Sequence, residues 1–242
     1  MGARIVEKNA VHFFIMVIKM YSIPEHIPQP KWVHDHFSFL NRITEREPSE
    51  KLENTSKLTN IADKYKDSTD KTPHSDYYIK HSYTEFYGDI LERFVGKEAN
   101  LLEIGVRFGG SLQMWKDFLV NGTVYGVDLN LDLYRYPPHP QIHLLKTNAY
   151  GPRVEENVFP GVLFDVIVDD GSHFAKDQVE VLNLYLTKLK PGGICIIEDI
   201  QMMETAKQIV ENFKGRRNKV SIIDRRHCVP SLDDIIVVYF NT

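Results

Sequence analysis

Two pairs of adjacent acidic residues carry the clearest chemical signal in the sequence. Asp169-Asp170 follows one short apolar run, and Glu198-Asp199 follows another. If these runs are neighbouring parallel strands, their carboxyl ends meet in the crevice where open α/β sheets bind ligands. Carboxylates crowded at one point repel one another unless protons or a cation intervene. Their oxygen atoms predict a site for Mg²⁺ or Mn²⁺, because hard divalent ions prefer oxygen ligands.

A histidine lies beside the first acidic pair. His173 is three residues after Asp170, and the ordinary histidine pKa of about 6.5 suits proton removal near neutral pH. We therefore predict that His173 is a general base. The alternative for an isolated Asp-Asp pair is a solvated turn, and for an isolated histidine it is a hydrogen-bonded structural residue.

A glycine-containing loop joins a buried run to a helical pattern. Its glycines permit positive φ and a close approach of ligand to backbone, and the following helix offers free N–H groups. The spacing G-x-x-x-G-G departs from the G-x-G-x-x-G of a pyrophosphate cradle, and Glu103 would repel a phosphate. Glu103 suits a cationic ligand instead, such as the amino group of S-adenosylmethionine. We predict cofactor contacts from Glu103, Gly105, Gly109 and Ser111; a plain glycine turn is the alternative.

A further acid ends the next apolar run. Asp128 lies 23 residues after Gly105. A carboxylate at the end of the second strand can accept hydrogen bonds from both hydroxyls of a ribose, as in folds that bind adenosine. Asp128 is therefore the predicted ribose ligand, with a simple cap of the following turn as the alternative.

These residues follow strands in a regular alternation of β-type and helical patterns. The β-type runs are 100–104, 123–127, 142–147, 164–168, 194–197, 220–223 and 235–240, and the helical patterns are 83–94, 111–119, 176–189 and 204–213. Strands alternating with helices indicate a parallel sheet covered on both faces. No helical pattern precedes the last run, so this strand is predicted to return antiparallel. The prediction is an α/β, Rossmann-like class I methyltransferase fold with a mostly parallel seven-stranded sheet.

The N-terminal part of the chain lacks this regularity. We predict an extension of unknown role at 1–55 and a methyltransferase domain at 56–242. The polar stretch 48–76 is interpreted as a linker or a loop-rich cap whose charges face water. The helix after it is predicted to begin with a capping box, Ser82-x-x-Glu85.

Composition narrows the classes of partner. The 242 residues carry 33 acidic and 29 basic side chains, a net charge of −4, which argues against nucleic acid as a partner. No apolar run approaches 18 residues, so no membrane span is predicted. The two cysteines form no CxxC pair and are expected to be free thiols in a reducing, cytoplasmic compartment. A homo-oligomer is compatible with the sequence.

From about Asp63 to Asp199 the chain resembles the metal-dependent, S-adenosylmethionine-using sugar O-methyltransferases typified by the mycinamicin and macrolide-sugar enzymes. The resemblance is carried by Asp70-Lys71-Thr72 with His74, by His81-Ser82-Tyr83-Thr84, by the run from Leu102 to Trp115 and by the run from Asp169 to His173. It implies that Asp170 and Asp199 bind the metal with help from Glu198, and that His173 is the general base.

The resemblance also directs attention to the adenine side of the cofactor. Where the family commonly has an acid after the third strand, this chain has Asn148, which can hydrogen-bond adenine. Asp169 is assigned to the cofactor as well. Arg225, Arg226 and His227 follow the sixth strand and could bind a phosphate of a nucleotide-linked sugar, although a solvated hairpin loop is the favoured interpretation.

The predicted activity is transfer of a methyl group from S-adenosylmethionine to a hydroxyl of a sugar, nucleotide-sugar or glycoconjugate. A small catechol-like acceptor is the nearest alternative, because it also presents two adjacent oxygens. Two more distant candidates are a methyltransferase-like scaffold without turnover and a nicotinamide-dependent oxidoreductase. Glu103 opposes the phosphate cradle that the oxidoreductase needs.

Overall fold

The computed structural model describes residues 56–226 and 233–242. The predicted extension 1–55, together with His227 and Cys228, lies outside these ranges. The domain division therefore stays a prediction.

Seven strands form one sheet in the order β3-β2-β1-β4-β5-β7-β6. Their bounds are β1 Asn100–Ile104, β2 Thr123–Asp128, β3 Ile142–Lys146, β4 Phe164–Asp169, β5 Leu189–Ile200, β6 Val220–Asp224 and β7 Ile235–Phe240. Strands β1 to β5 pair in parallel, whereas β7 inserts antiparallel between β5 and β6. The predicted fold class, including the antiparallel last strand, is confirmed.

Helices cover both faces of the sheet. They are α1 Lys57–Ala62, α2 Tyr83–Leu91, α3 Gly110–Leu119, α4 Val154–Asn157, α5 Ala175–Tyr185 and α6 Met203–Asn212. One apolar core lies between the sheet and α1, α2 and α3, and the other lies between the sheet and α5 and α6. Adjacent residues of β1 separate accordingly, with Leu101 in the first core and Leu102 in the second. Because both faces of the central strands are buried, their sequences are nearly continuous apolar runs.

Two predicted details of the helices are wrong. The helix predicted at 176–189 ends at Tyr185, and after one 3₁₀ turn Leu189 already begins β5. Ser82 precedes α2 but makes no capping hydrogen bond from its side chain. Its hydroxyl instead accepts a hydrogen bond from Arg225 Nη2 at 2.8 Å. A long-range buried donor thus replaces the local capping box.

The described part of the polar stretch 48–76 is not simply a solvated linker. Leu58 and Ala62 of α1 pack into the first core, and Lys71 is only 1% exposed. Lys71 contacts Asp170 and Glu198 at the carboxyl ends of β4 and β5 before the chain enters α2. None of the helices among the described residues is both long and apolar enough to cross a bilayer.

Candidate active site

Strand alternation brings three acids from separate strands to one face of the sheet. Glu103 of β1 lies on the same face as Leu101, which packs against α1, α2 and α3. Asp170 after β4 and Glu198 of β5 lie on this face as well, because they follow core residues of the same face at a spacing of two. Oxygen atoms of the three carboxylates lie within 4.8 Å of one another. We call Glu103, Asp170 and Glu198 the inner cluster.

A lysine from the segment before α2 occupies the inner cluster. Lys71 Nζ lies 2.6 Å from Asp170 Oδ2 and 3.4 Å from Glu103 Oε1, and it donates a hydrogen bond to Glu198 Oε1. Burial by itself would lower the pKa of this lysine, but the nearby Asp170, Glu198 and Glu103 outweigh it and raise the pKa well above the usual range. The repulsion expected from the sequence is therefore relieved in part by a cation within the chain.

Glu103 remains poorly satisfied in spite of this neighbour. Both carboxylate oxygens are fully enclosed and lack a well-formed hydrogen bond. Burial raises the pKa of Glu103 to about 7, although Lys71 and the nearby Ser111 act in the opposite direction. An enclosed acid of this kind stabilises a donor or positive charge that comes close to it.

A bulge in β5 turns Asp199 to the same face as Glu198, towards α2. The register with β7 shifts between Ile197 and Ile200, and Asp199 has a positive φ of 57°. Adjacent strand residues ordinarily point to opposite faces, and a bulge breaks that alternation. As a result Tyr83 OH donates to Asp199 Oδ1 at 2.7 Å, beside the Tyr87 OH that donates to Glu198 Oε2.

A second group of side chains lies beside the inner cluster and is more open to solvent. His173 Nε2 is 3.9 Å from Asp170 Oδ1 and 3.9 Å from Asp199 Oδ2. One ligand atom from each of these residues lies within 4.8 Å of the others. We call Asp170, His173 and Asp199 the outer cluster. Burial raises the pKa of Asp199 to about 6, with Asp170 adding to the rise and His81 opposing it.

A buried histidine–aspartate pair lies next to Asp199. His81 Nδ1 hydrogen-bonds Asp234 Oδ1, while His81 Nε2 lies 3.7 Å from Asp199 Oδ1. Burial would lower the pKa of His81, but the hydrogen bond to Asp234 and the charge of Asp199 raise it to about 10. His81 therefore supplies a second internal positive charge.

Asp128, the residue predicted to bind a ribose, accepts hydrogen bonds from backbone N–H groups. Asp128 Oδ2 accepts hydrogen bonds from the N–H groups of Val106 and Arg107 at 2.8 and 3.1 Å. Its other oxygen accepts from Asn130 N at 3.0 Å. Asp128 thus ties the glycine loop to β2, and its contact with a ribose stays a prediction.

The two predicted cofactor glycines are required by close packing. Gly105 has φ 89°, and a Cβ there would lie 2.0 Å from the carbonyl oxygen of Asp170. Gly109 has φ 87°, and a Cβ there would meet the ring of Tyr134 at 2.3 Å. Both positions therefore exclude larger residues, whether or not the loop also approaches a cofactor.

Ser111 lies near Glu103 of the inner cluster, whereas the predicted cofactor residues Asn148 and Asp169 contact other groups. Asn148 is exposed, and its Oδ1 accepts a hydrogen bond from Tyr150 N at 2.9 Å. Asp169 faces the opposite side of the sheet from Asp170, and Tyr150 OH donates to its Oδ1 at 2.5 Å. Burial raises the pKa of Asp169 to about 7. The structure gives both residues protein partners.

Arg225, which directly follows β6, departs from the interpretation as a solvated loop. Arg225 is buried, and its Nη2 donates to Ser82 O at 2.9 Å and lies 3.5 Å from Glu85 Oε2. This arginine fastens β6 to the start of α2. Arg226 is exposed and pairs with Asp224, as expected for a solvated loop.

The FtsJ-like methyltransferase family model matches residues 87–241, which is more than half of the chain. The chain belongs to this family. Among curated proteins, it is 32% identical over 135 residues to 8-demethyl-8-alpha-L-rhamnosyl tetracenomycin-C 2'-O-methyltransferase of Streptomyces olivaceus, a match covering 52% of this chain and 35% of that protein. It is 28% identical over 131 residues to mycinamicin VI 2''-O-methyltransferase of Micromonospora griseorubida, covering 50% and 32%. The matches thus span about a third of the length of these relatives.

Solved structures support the same fold for this FtsJ-like methyltransferase. MycE methyltransferase from the mycinamycin biosynthetic pathway, in complex with Mg, SAH and mycinamycin VI, superposes with a TM-score of 0.56 at 16% identity, covering 90% of this chain and 64% of that one. The cmcI-D160 Mg-SAM structure superposes at 0.51 and 17% identity, covering 84% and 95%. The resemblance to macrolide-sugar methyltransferases stated from the sequence is confirmed by the relatives.

Sequence reasoning missed the protein groups that surround the acids. Lys71 and His81 fall in runs that carried only the family resemblance, and neither was assigned a role. Tyr83 and Tyr87 are four residues apart on one face of α2, a spacing that offered a usable signal. Buried tyrosine hydroxyls seek hydrogen-bond partners, and two of them on an apolar helix face predict polar groups opposite that face.

The pair of His81 and Asp234 yields a stability prediction. We expect Asp234→Ala to lower the free energy of unfolding by about 3–5 kcal/mol, because the change breaks a buried ion pair and removes the hydrogen-bond partner of His81. Urea unfolding measures the difference. Asp132→Ala is the matched control, since Asp132 is largely exposed, and surface changes usually stay within about 0.5 kcal/mol. Equal stabilities of the two variants would show that the pair contributes nothing.

Proposed function

We propose that this FtsJ-like methyltransferase transfers a methyl group from S-adenosylmethionine to a hydroxyl of a sugar, nucleotide-sugar or glycoconjugate, with a divalent metal ion. The outer cluster carries the proposal. Asp170, His173 and Asp199 converge at the carboxyl edge of the sheet, where open α/β folds bind ligands. The curated relatives are named as O-methyltransferases of sugar-bearing compounds.

The outer cluster fits a divalent ion. Asp170 and Asp199 offer carboxylate oxygens, the ligands that suit Mg²⁺ or Mn²⁺, while His173 lies beside them as the proposed base. Tyr83 and His81 face one oxygen of Asp199, and Lys71 faces one oxygen of Asp170. Because these contacts use one oxygen of each acid, they leave the other turned towards His173.

The glycine-loop side fits the methyl donor. Glu103 is an enclosed carboxylate with no well-formed hydrogen bond, which matches a positively charged amino group. Asp128 holds the loop through two backbone N–H groups. We assign donor binding to these two residues, with Gly105, Gly109, Ser111, Asn148 and Asp169 as the other proposed contacts.

Each residue of the outer cluster and its surroundings has a separate role in the proposed reaction. His173 Nε2 takes the proton from the acceptor hydroxyl, Asp170 and Asp199 hold the ion with help from Glu198, and the surrounding tyrosine and lysine side chains fix these acids. A bound divalent ion supplies a fixed positive charge beside the acceptor oxygen, and S-adenosylmethionine supplies the methyl group. Positioning of donor and acceptor contributes much of the rate enhancement.

We assign the reaction to the cytoplasm, where the free, buried Cys195 would stay reduced.

Donor binding provides the first test. Titration calorimetry should show binding of S-adenosylhomocysteine and no binding of NAD. Asp128→Ala should weaken S-adenosylhomocysteine binding roughly 5- to 150-fold, because loss of a buried hydrogen-bond partner costs about 1–3 kcal/mol. Asp132→Ala, on the exposed loop after β2, should bind like the wild type. Tight NAD binding without a response to S-adenosylhomocysteine would refute the proposal.

The acceptor class is tested separately. The enzyme is incubated with S-adenosylmethionine, Mg²⁺ and either a glycosylated compound or a free catechol, and products are identified by mass spectrometry. A mass increase of one methyl group on the sugar supports the proposal. Methylation of the catechol alone would reassign the acceptor and leave the methyl transfer standing.

A further inference from the structure

The backbone conformation of His173 has to be enforced by its surroundings. His173 has a positive φ of 55°, which is unfavourable for a residue with a side chain and persists only where neighbouring groups impose it. The residue lies between the end of β4 and the start of α5, and its side chain is 37% exposed. Because packing around so exposed a ring contributes little, the hydrogen bonds of the flanking backbone become decisive.

The N–H group before His173 is held by Tyr150. Ser172 N donates to Tyr150 OH at 2.9 Å, and the same hydroxyl donates to Asp169 Oδ1 at 2.5 Å. The hydroxyl is thus anchored on the last residue of β4 while it accepts from the loop. Gly171 passes so close to this hydroxyl that a Cβ there would clash with it. Tyr150 therefore fixes the chain directly ahead of His173.

The N–H group after His173 is held by Ser172. Phe174 N donates to Ser172 Oγ at 3.3 Å, and Ser172 Oγ donates to Asp177 Oδ2 at 2.7 Å. Asp177 lies in the first turn of α5, so the serine hydroxyl joins the loop to this helix. His173 consequently lies between two backbone N–H groups, and each is bound to a side-chain hydroxyl that is itself anchored.

Tyr150 reaches this loop from another part of the sheet edge. It follows β3, and its backbone N–H donates to Asn148 Oδ1 at 2.9 Å. Its hydroxyl bonds to Asp169 and Ser172 rather than to the acids of the outer cluster. The influence of Tyr150 on the outer cluster therefore passes through the loop that carries His173.

We propose that Tyr150 and Ser172 are positioning residues for His173. Their hydroxyls keep the backbone in the positive-φ conformation that places the imidazole beside the two acids of the outer cluster. Neither residue is assigned a contact with the reacting atoms. The inference rests on the proposed function for the role of the imidazole as a base.

Hydrogen exchange followed by NMR on the full chain measures whether the loop is held. In Tyr150→Phe the Ser172 amide should exchange roughly 5- to 150-fold faster than in the wild type, because the change removes its hydrogen-bond partner. Ser172→Ala should likewise accelerate exchange of the Phe174 amide. Tyr185→Phe is the matched control, because the buried Tyr185 hydroxyl donates to Ala149 O at 3.0 Å rather than to the loop. Exchange in this control should match the wild type.

Turnover with S-adenosylmethionine, Mg²⁺ and the glycosylated acceptor measures the consequence for the reaction. Tyr150→Phe should lower kcat by a factor in the same range, roughly 5- to 150-fold, and leave the acceptor KM and S-adenosylhomocysteine binding nearly unchanged. Tyr185→Phe should turn over like the wild type. Ser172→Thr keeps a hydroxyl and should retain the rate that Ser172→Ala loses. Because the hydroxyls act through the imidazole, Tyr150→Phe combined with His173→Asn should be no slower than His173→Asn alone.

Three results would overturn the proposal. One is exchange of the Ser172 amide in Tyr150→Phe at the wild-type rate. Another is full turnover in Tyr150→Phe and Ser172→Ala alike. A third is a double variant much slower than His173→Asn alone, since the tyrosine would then act independently of the imidazole. If Tyr150→Phe does not fold, Ser172→Ala and its combination with His173→Asn decide the same questions.

The two kinds of measurement separate this inference from the proposed function. If the wild type methylates no acceptor, the proposed function fails, and the exchange rates still decide whether the two hydroxyls hold the loop. If the wild type is active and the hydroxyl variants turn over like Tyr185→Phe, the positioning role fails and the methyl transfer stands.

Discussion

His173→Ala is expected to turn over about 10²- to 10⁴-fold more slowly than the wild type, the usual range for loss of a general base. The structure places His173 Nε2 3.9 Å from an oxygen of Asp170 and from one of Asp199, next to the position proposed for the ion. If the ring only takes the proton, binding of S-adenosylhomocysteine and Mn²⁺ should stay nearly intact. Single-turnover rates and calorimetry measure the two properties separately.

Backbone conformation calls for a second variant at this position. His173 has a positive φ of 55°, which asparagine tolerates better than alanine. His173→Asn should therefore keep the loop in place and lose the base, with the same drop in turnover. His143→Ala is the matched control, because this exposed histidine lies on β3. Loss of Mn²⁺ from both His173 variants would make the residue a metal ligand, and full activity would assign the base to another group.

Removal of divalent ions is expected to lower methyl transfer by at least ~10²-fold, because the charge of a bound ion contributes several kcal/mol to the transition state. A chelator should abolish turnover, and added Mg²⁺ or Mn²⁺ should restore it. The structure sharpens the reason for this prediction. Lys71 and His81 already neutralise part of the acidic charge. Repulsion among the acids therefore does not by itself require a metal ion, and the prediction depends on the carboxylate oxygens that face His173.

Asp199→Asn provides the matched variant for the metal prediction. Asparagine keeps an oxygen that can accept the hydrogen bond from Tyr83 and tolerates the positive φ of this position. It removes the charge that would bind the ion, so both Mn²⁺ binding and turnover should fall. Asp132→Asn is the control, since this acid is largely exposed. Full activity in chelator, or in the Asp170→Ala and Asp199→Ala double variant, would contradict the assignment.

The sequence alone determined the sheet and the edge at which the site lies. Runs such as 164–168 and 194–197 are apolar because both faces of the central strands are covered, and they alternate with helical patterns. Acids directly after such runs must meet at one edge, because parallel strands all end on the same side. Strand alternation could also have shown that Glu103, Asp170 and Glu198 share a face.

The tertiary structure alone decided which groups neutralise those acids. Lys71 is separated from Asp170 by 99 residues and from Glu198 by 127, and no local pattern predicts a contact at such a distance. The bulge that turns Asp199 towards Tyr83 breaks the two-residue period on which strand reasoning depends. Local periodicity fixes where a side chain lies along its own element, whereas the partner of a buried charge depends on how distant elements pack together.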